Sequence, residues 1–123
     1  ANGVARFNTT TQTWAPLGSG AANGVSGSVL ALAVSGSDLV VGGNFTQAGG
    51  AAANNVARFN TTTQTWAPLG SGAANGVNST VIALAVSGSN LYVGGFFGSA
   101  GGQASSNIAL YRPNDLVFSD GFE

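Results

Sequence analysis

The chain has 123 residues, of which 6% are charged and 44% hydrophobic, and its formal net charge is −1. Three arginines without a lysine or a histidine cannot make the basic stripe that phosphate recognition needs, which excludes nucleic acid and an anionic membrane surface as expected partners. The apolar fraction argues against disorder, and the longest strongly apolar run, Val29 to Val34, falls far short of the roughly 18 residues of a membrane span.

The chain opens with VARFN (4–8), the loop TTTQ and TWAPLG (13–18), which read as two strands joined by a tight turn. A long Gly/Ala/Asn/Ser connection follows over 19–28. VLALAV (29–34), the turn SGSD and LVVGG (39–43) make a second hairpin. Ala31 and Ala33 alternate with Leu30, Leu32 and Val34, so one face is small enough for neighbouring sheets to converge and the other is bulky and expected to fill the gap between sheets. After a long connection over 46–54 the opening words return: VARFN at 56–60 and TWAPLG at 65–70. A connection over 71–80 leads to the strands at 81–86 and 91–95. The loop 98–107 then leads to Ile108–Arg112 and a last segment reaching Phe118.

The order is periodic. Residues 4–25 and 56–77 are identical at every position, and Val4, Val56 and Ile108 are 52 apart, as are Trp14 and Trp66 and Gly42 and Gly94. Gly, Thr, Asn and Val dominate the unit, which disfavours helix. Four short antiparallel strands in a unit of this length match one blade of a β-propeller. The fold expected is all-β, with two 52-residue repeats of four antiparallel strands per chain. Residues 1–28 form an N-terminal half-blade of third and fourth strands, 29–80 a full blade, 81–118 a second blade with a degenerate last strand, and 119–123 an acidic tail.

LVVGG followed by V-x-R-F-N-x-x-T-x-x-W-x-x-L (56–69) resembles a kelch repeat. Gly42-Gly43 and Gly94-Gly95 stand as its paired glycines, Phe59 in place of its usual tyrosine, and Trp66 as its signature tryptophan. VGGNFTQAGGAAANNVARFN is also similar to propeller repeats of large secreted or cell-surface proteins, such as fungal cortical polarity markers and repetitive bacterial exoproteins. The resemblance reaches about Tyr111 and implies a propeller. Gly42, Gly43, Gly94 and Gly95 are read as blade-packing positions that allow φ > 0 or close approach, and Trp14 and Trp66 as wedges buried between blades.

A closed propeller needs four to eight blades, so two units must complete the fold by association. Closed cyclic symmetry gives an even count: six blades in a trimer, which is favoured, or eight in a tetramer. A contact that does not close builds an open filament. The half-blade Val4–Gly18 either competes with Ile108–Phe118 for one site or completes a neighbour, and strand donation between subunits is preferred. In the last segment Phe118 stands for the tryptophan and Leu110 for Arg6 and Arg58.

Without His, Cys or Lys, most nucleophile–base pairs and transition-metal sites are ruled out. No catalytic residue, cofactor or metal is expected. Asp38 becomes Asn90 in the second copy, and Asp115, Asp120 and Glu123 lack the D-x-D spacing of a calcium loop. The N-x-S/T sites at Asn8, Asn44, Asn60 and Asn78 are read as turn residues.

Two functions follow from this reading. The first is a non-catalytic, secreted, structural module that assembles with itself into a ring or fibre. The second is a multivalent, lectin-like module that binds a glycan or a cell-surface protein through the long loops, with Asn23, Gln47, Asn75, Phe96 and Gln103 as the candidate contacts. Composition points to an extracellular or cell-surface setting. The chain contains no methionine and reads as a processed form or a fragment, and Ala1 would suit the residue after a signal-peptidase cut.

Overall fold

The computed structural model describes the backbone of residues 3–18, 24–69, 75–104, 106–112 and 117–120, and their side chains except those of 103, 104, 112 and 117–120. Among the described residues the fold is all-β, with no helix. The described residues include fourteen strands in five antiparallel sheets.

Strands β1 (Ala5–Asn8) and β2 (Thr13–Pro16) make a lone hairpin. The first four-stranded sheet is β3 (Ser28–Ser35), β4 (Asp38–Asn44), β7 (Val56–Asn60) and β8 (Thr65–Pro68), in the order β3-β4-β7-β8. The second repeats that meander with β9 (Val81–Ser87), β10 (Asn90–Gly95), β13 (Ile108–Arg112) and β14 (Val117–Asp120). Two small hairpins, β5 (Gln47–Ala48) with β6 (Ala51–Ala52) and β11 (Ser99–Ala100) with β12 (Gln103–Ala104), lie in segments the sequence presents as loops. Their turns explain them: Gly49-Gly50 and Gly101-Gly102 all have positive φ, the requirement of a two-residue type I′ hairpin.

Local chemistry sets the other turns. Gly36 and Gly88 take φ near +60° between β3 and β4 and between β9 and β10, as the first residue of a II′ turn does. In TTTQ the Asn60 side-chain oxygen accepts the N–H groups of Thr62 and Thr63 at 2.9 Å, and Gln64 at φ 59° closes the loop. Asn8, Thr10, Thr11 and Gln12 repeat the arrangement in the first hairpin. Asn8 and Asn60 thus act as turn residues, as expected.

The two large sheets pack face to face. Directly opposed residues in an antiparallel pair share a face, so Val40, Arg58 and Ala67 lie on one side of the first sheet and Val41, Ala57 and Pro68 on the other. Val40, Val56 and Leu69 meet Val81, Leu91, Val93, Ala109 and Tyr111 in one buried cluster, with Leu84 and Val86 packed against it. A second cluster, Val25, Val41, Phe45, Ala48, Ala53 and Ala57, covers part of the opposite face of the first sheet.

The edge of β10 is taken by β13 and β14 from the same chain. The tail therefore fills that position in this structure, and β1–β2 does not.

Candidate functional site

The face-to-face contact between the large sheets has a definite chemistry. Gly42 meets β9 there: a Cβ placed on it would lie 2.5 Å from Val81 Cγ1 and 3.3 Å from Leu84 Cδ1. Ala31 and Ala33 share the Gly42 and Val40 face of β3–β4. Small residues on one sheet thus receive Leu84 and Val86 of the other. Gly43 and Gly95 have another role, since a Cβ at either would collide with the backbone carbonyl at the start of the neighbouring strand, that of Ser28 in β3 or of Thr80 just before β9. Both lie beside register irregularities, at Val29/Ala31 and Gly94/Gly95. None of the four glycines takes positive φ, and at Gly42, Gly43 and Gly95 close approach, not backbone freedom, is what the glycine supplies.

The counterparts of this contact stand uncovered at both ends of the chain. Leu32 and Val34, one repeat before Leu84 and Val86, are 53% and 68% exposed, and Leu30 is half exposed. They do not fill a gap between sheets within the single chain. Gly94, one repeat after Gly42, has only Ala83 and Asn107 within 4 Å of a placed Cβ, none closer than 3.8 Å. Ala83 and Ala85 beside it are exposed.

The tryptophans differ in the same way. Trp66 is half-buried, its Nε1–H donates to the Leu17 carbonyl at 2.8 Å, and its ring lies 5.0 Å from Phe59 at 55°. Trp14 packs on Phe7 with the same geometry, 4.9 Å and 56°, yet is 71% exposed. The expectation of a buried wedge at Trp14 is not met within the single chain: Trp66 is covered by the Gly49 turn and the Leu17 carbonyl of the preceding repeat, and among the described residues Trp14 has no such cover.

The long connections come together at one end of the sheets. Isolated bridges join Val25 to Ala48 and Val77 to Ala100. Ser26 Oγ accepts the N–H groups of Thr46 and Gln47, and Asn78 Oδ1 those of Gly98 and Ser99. Of the candidate contacts, Gln47 is exposed on β5 and Phe96 is 68% exposed. The amide of Asn75 is turned into the chain, accepting from Asn54 N–H and donating to the Ala52 carbonyl. Asn23 and the side chain of Gln103 lie outside the described residues. One residue escaped the sequence reading. Asn55 is buried at φ 67°, accepts from Phe45 N–H at 3.2 Å and donates to the Val77 carbonyl at 2.9 Å. Asn107 repeats its φ, and Gly3 holds the same position before Val4 with φ 78°; a residue that tolerates left-handed backbone just before each third strand was the available signal.

An open groove of about 250 Å³ on the first sheet is lined by Asp38, Arg58, Asn60, Thr65 and Ala67. Arg58 also reaches the cleft between the sheets near Tyr111, whose phenol pKa is raised by burial, an effect the Arg58 charge partly offsets. One acid and one arginine make no acid–base pair of the kind hydrolysis uses. Among the described residues no three His, Cys, Asp or Glu side chains cluster as metal ligands. The side chains of Asp115, Asp120 and Glu123 lie outside the described residues. No protein-family model matches the chain, and no curated protein matches its sequence.

Proposed function

We propose that the chain is a non-catalytic, self-assembling module of a secreted kelch-like β-propeller, in which each large sheet is a blade and further copies complete the ring or extend it as a fibre. One observation carries this reading: the chain's internal sheet-to-sheet contact has its two halves repeated, uncovered, at opposite ends. Leu32 and Val34 present what Leu84 and Val86 bury, and Gly94 with Ala83 and Ala85 presents what Gly42 with Ala31 and Ala33 offers. A head-to-tail contact of this kind is heterologous and closes when its rotation divides the circle. Three copies with six blades are favoured over four with eight, and the open alternative is a filament.

The apolar stripe alone does not hold such an assembly. Covering the exposed halves of Leu30, Leu32 and Val34 is worth about 1 kcal/mol each, against an association cost of ~4–15 kcal/mol. The contact must extend over both faces and onto the sheet edge.

The alternative, a glycan- or protein-binding propeller, draws support from exposed Phe96 and Gln47 beside the long connections. The inward amide of Asn75 weighs against it.

Light scattering over a range of concentrations tests the reading. The expected result is a species of three or four chains, or extended particles, with Gly94→Val reduced to a monomer that remains folded. A wild-type monomer at every concentration would overturn it.

A further inference from the structure

The β1–β2 hairpin is a finished half of a sheet. It has the sequence of β7–β8, the same Asn-capped turn, and the same aromatic pair. It is also seated in the same way. Leu17 and Leu69 are both fully buried, and the N–H groups of Gly24 and Gly76 donate to their carbonyls. What differs is the other edge. β7 pairs with β8 on one side and with β4 on the other, whereas among the described residues β1 pairs with β2 alone.

In the complete arrangement, β3–β4 does two things at once. Its β4 edge pairs with β7, and its Ala31, Ala33, Val40 and Gly42 face covers the region of Leu84 and Val86. One repeat earlier, the open β1 edge and the exposed Leu32 and Val34 are the same two surfaces without that hairpin. A single β-hairpin of this sequence class satisfies both.

We infer that β1 is an acceptor edge for the β9–β10 hairpin of a second copy of this chain, and that β1–β2 there replaces the second copy's own β13–β14. The inference rests on the self-assembly reading and names its partner. β10 reads LYVGG where β4 reads LVVGG, so it carries nearly the edge that the β1 sequence already pairs with in β7. β13 departs from that sequence, with Leu110 for arginine and Tyr111 for phenylalanine. The observed register between β10 and β13 sets Val93 opposite Ala109 and Leu91 opposite Tyr111. Transferred by the repeat, it sets Val93 of one copy opposite Ala5 of the next, and Leu91 opposite Phe7. The incoming sheet also brings its Gly94 face onto Leu32 and Val34. Each copy then contributes two complete sheets, and three copies close with six.

The chain has no cysteine, so engineered pairs report cleanly. Two double variants are made, Ala5→Cys with Val93→Cys, and Ala109→Cys with Val93→Cys. Both are oxidised, then sized by light scattering and by non-reducing electrophoresis. The first is expected to give disulfide-linked multimers, while Ala5→Cys with Tyr92→Cys, one residue out of register, gives at least tenfold less. The second locks the tail onto its own β10 and is expected to stay monomeric until reduced. If the locked chain assembles as the wild type does, exchange is wrong and stacking stands. If the wild type never assembles, both are wrong.

Discussion

Gly42 and Gly94 occupy equivalent strand positions with opposite surroundings, and an alanine at each separates packing from backbone effects. A Cβ on Gly42 would lie 2.5 Å from Val81 Cγ1 and 3.2 Å from Val81 Cβ, where carbon atoms prefer about 3.5–4.0 Å. The sheets must part by roughly 1 Å, and overpacking of this size costs ~1–3 kcal/mol. Replacing glycine in a strand returns about 0.5–1 kcal/mol by restricting the unfolded chain. Gly42→Ala is therefore expected to destabilise by up to ~2.5 kcal/mol, with a central value of about 1 kcal/mol. At Gly94 the nearest atom to the new Cβ is Ala83 Cβ at 3.8 Å, an ordinary contact, so Gly94→Ala keeps only the gain and stabilises by about 0.5–1 kcal/mol. The assay is urea unfolding followed by tryptophan fluorescence, at a concentration where the chain is monomeric. With a urea dependence of about 1–3 kcal/mol per molar, the two midpoints should differ by on the order of 1 M. Equal shifts, or the opposite order, would refute the packing of β9 against Gly42 and the self-assembly argument with it.

Asn55→Ala removes the side-chain bonds to the Phe45 N–H and the Val77 carbonyl and puts alanine, which tolerates left-handed backbone less well than asparagine, at φ 67°; a loss of ~2–4 kcal/mol is expected in the same unfolding assay. Trp66→Phe removes the donor to the Leu17 carbonyl and should cost about 0.5–1.5 kcal/mol plus some packing. Trp14→Phe in the monomer should stay within ~0.5 kcal/mol, because Trp14 is mostly exposed. Burial raises the Tyr111 pKa, so the folded chain holds that proton more tightly than the unfolded chain. Its contribution is complete below the unfolded tyrosine pKa of about 10 and is lost as pH rises through the folded value. A tyrosinate absorbance titration should show a late step that Tyr111→Phe removes, and stability in that variant should fall less above this pH.

Much of the fold was legible because its signals are local. A strand needs only alternation and a turn needs only its glycine or asparagine. Both are present at VARFN, LVVGG, SGSD and TTTQ, and the strands formed where those patterns lie. The small hairpins at Gly49-Gly50 and Gly101-Gly102 carried the same kind of signal in very short strands, which is why they read as loop. The 52-residue repeat likewise announced two equivalent sheets, since equal sequences make equal hydrogen bonds.

Only the tertiary structure could distinguish equivalent positions. Leu32 and Leu84, Gly42 and Gly94, and Trp14 and Trp66 are the same residues in the same local frame. One of each pair is packed and the other bare. Burial depends on what lies across the sheet, and each face of the repeat is an inside only where a neighbouring unit lies against it. The sequence by itself determined the unit and its strands. Which copies of the unit are covered, and therefore where a second chain can bind, was decided by the order in which the sheets stack, because a repeated surface is buried by its neighbour and not by its own residues.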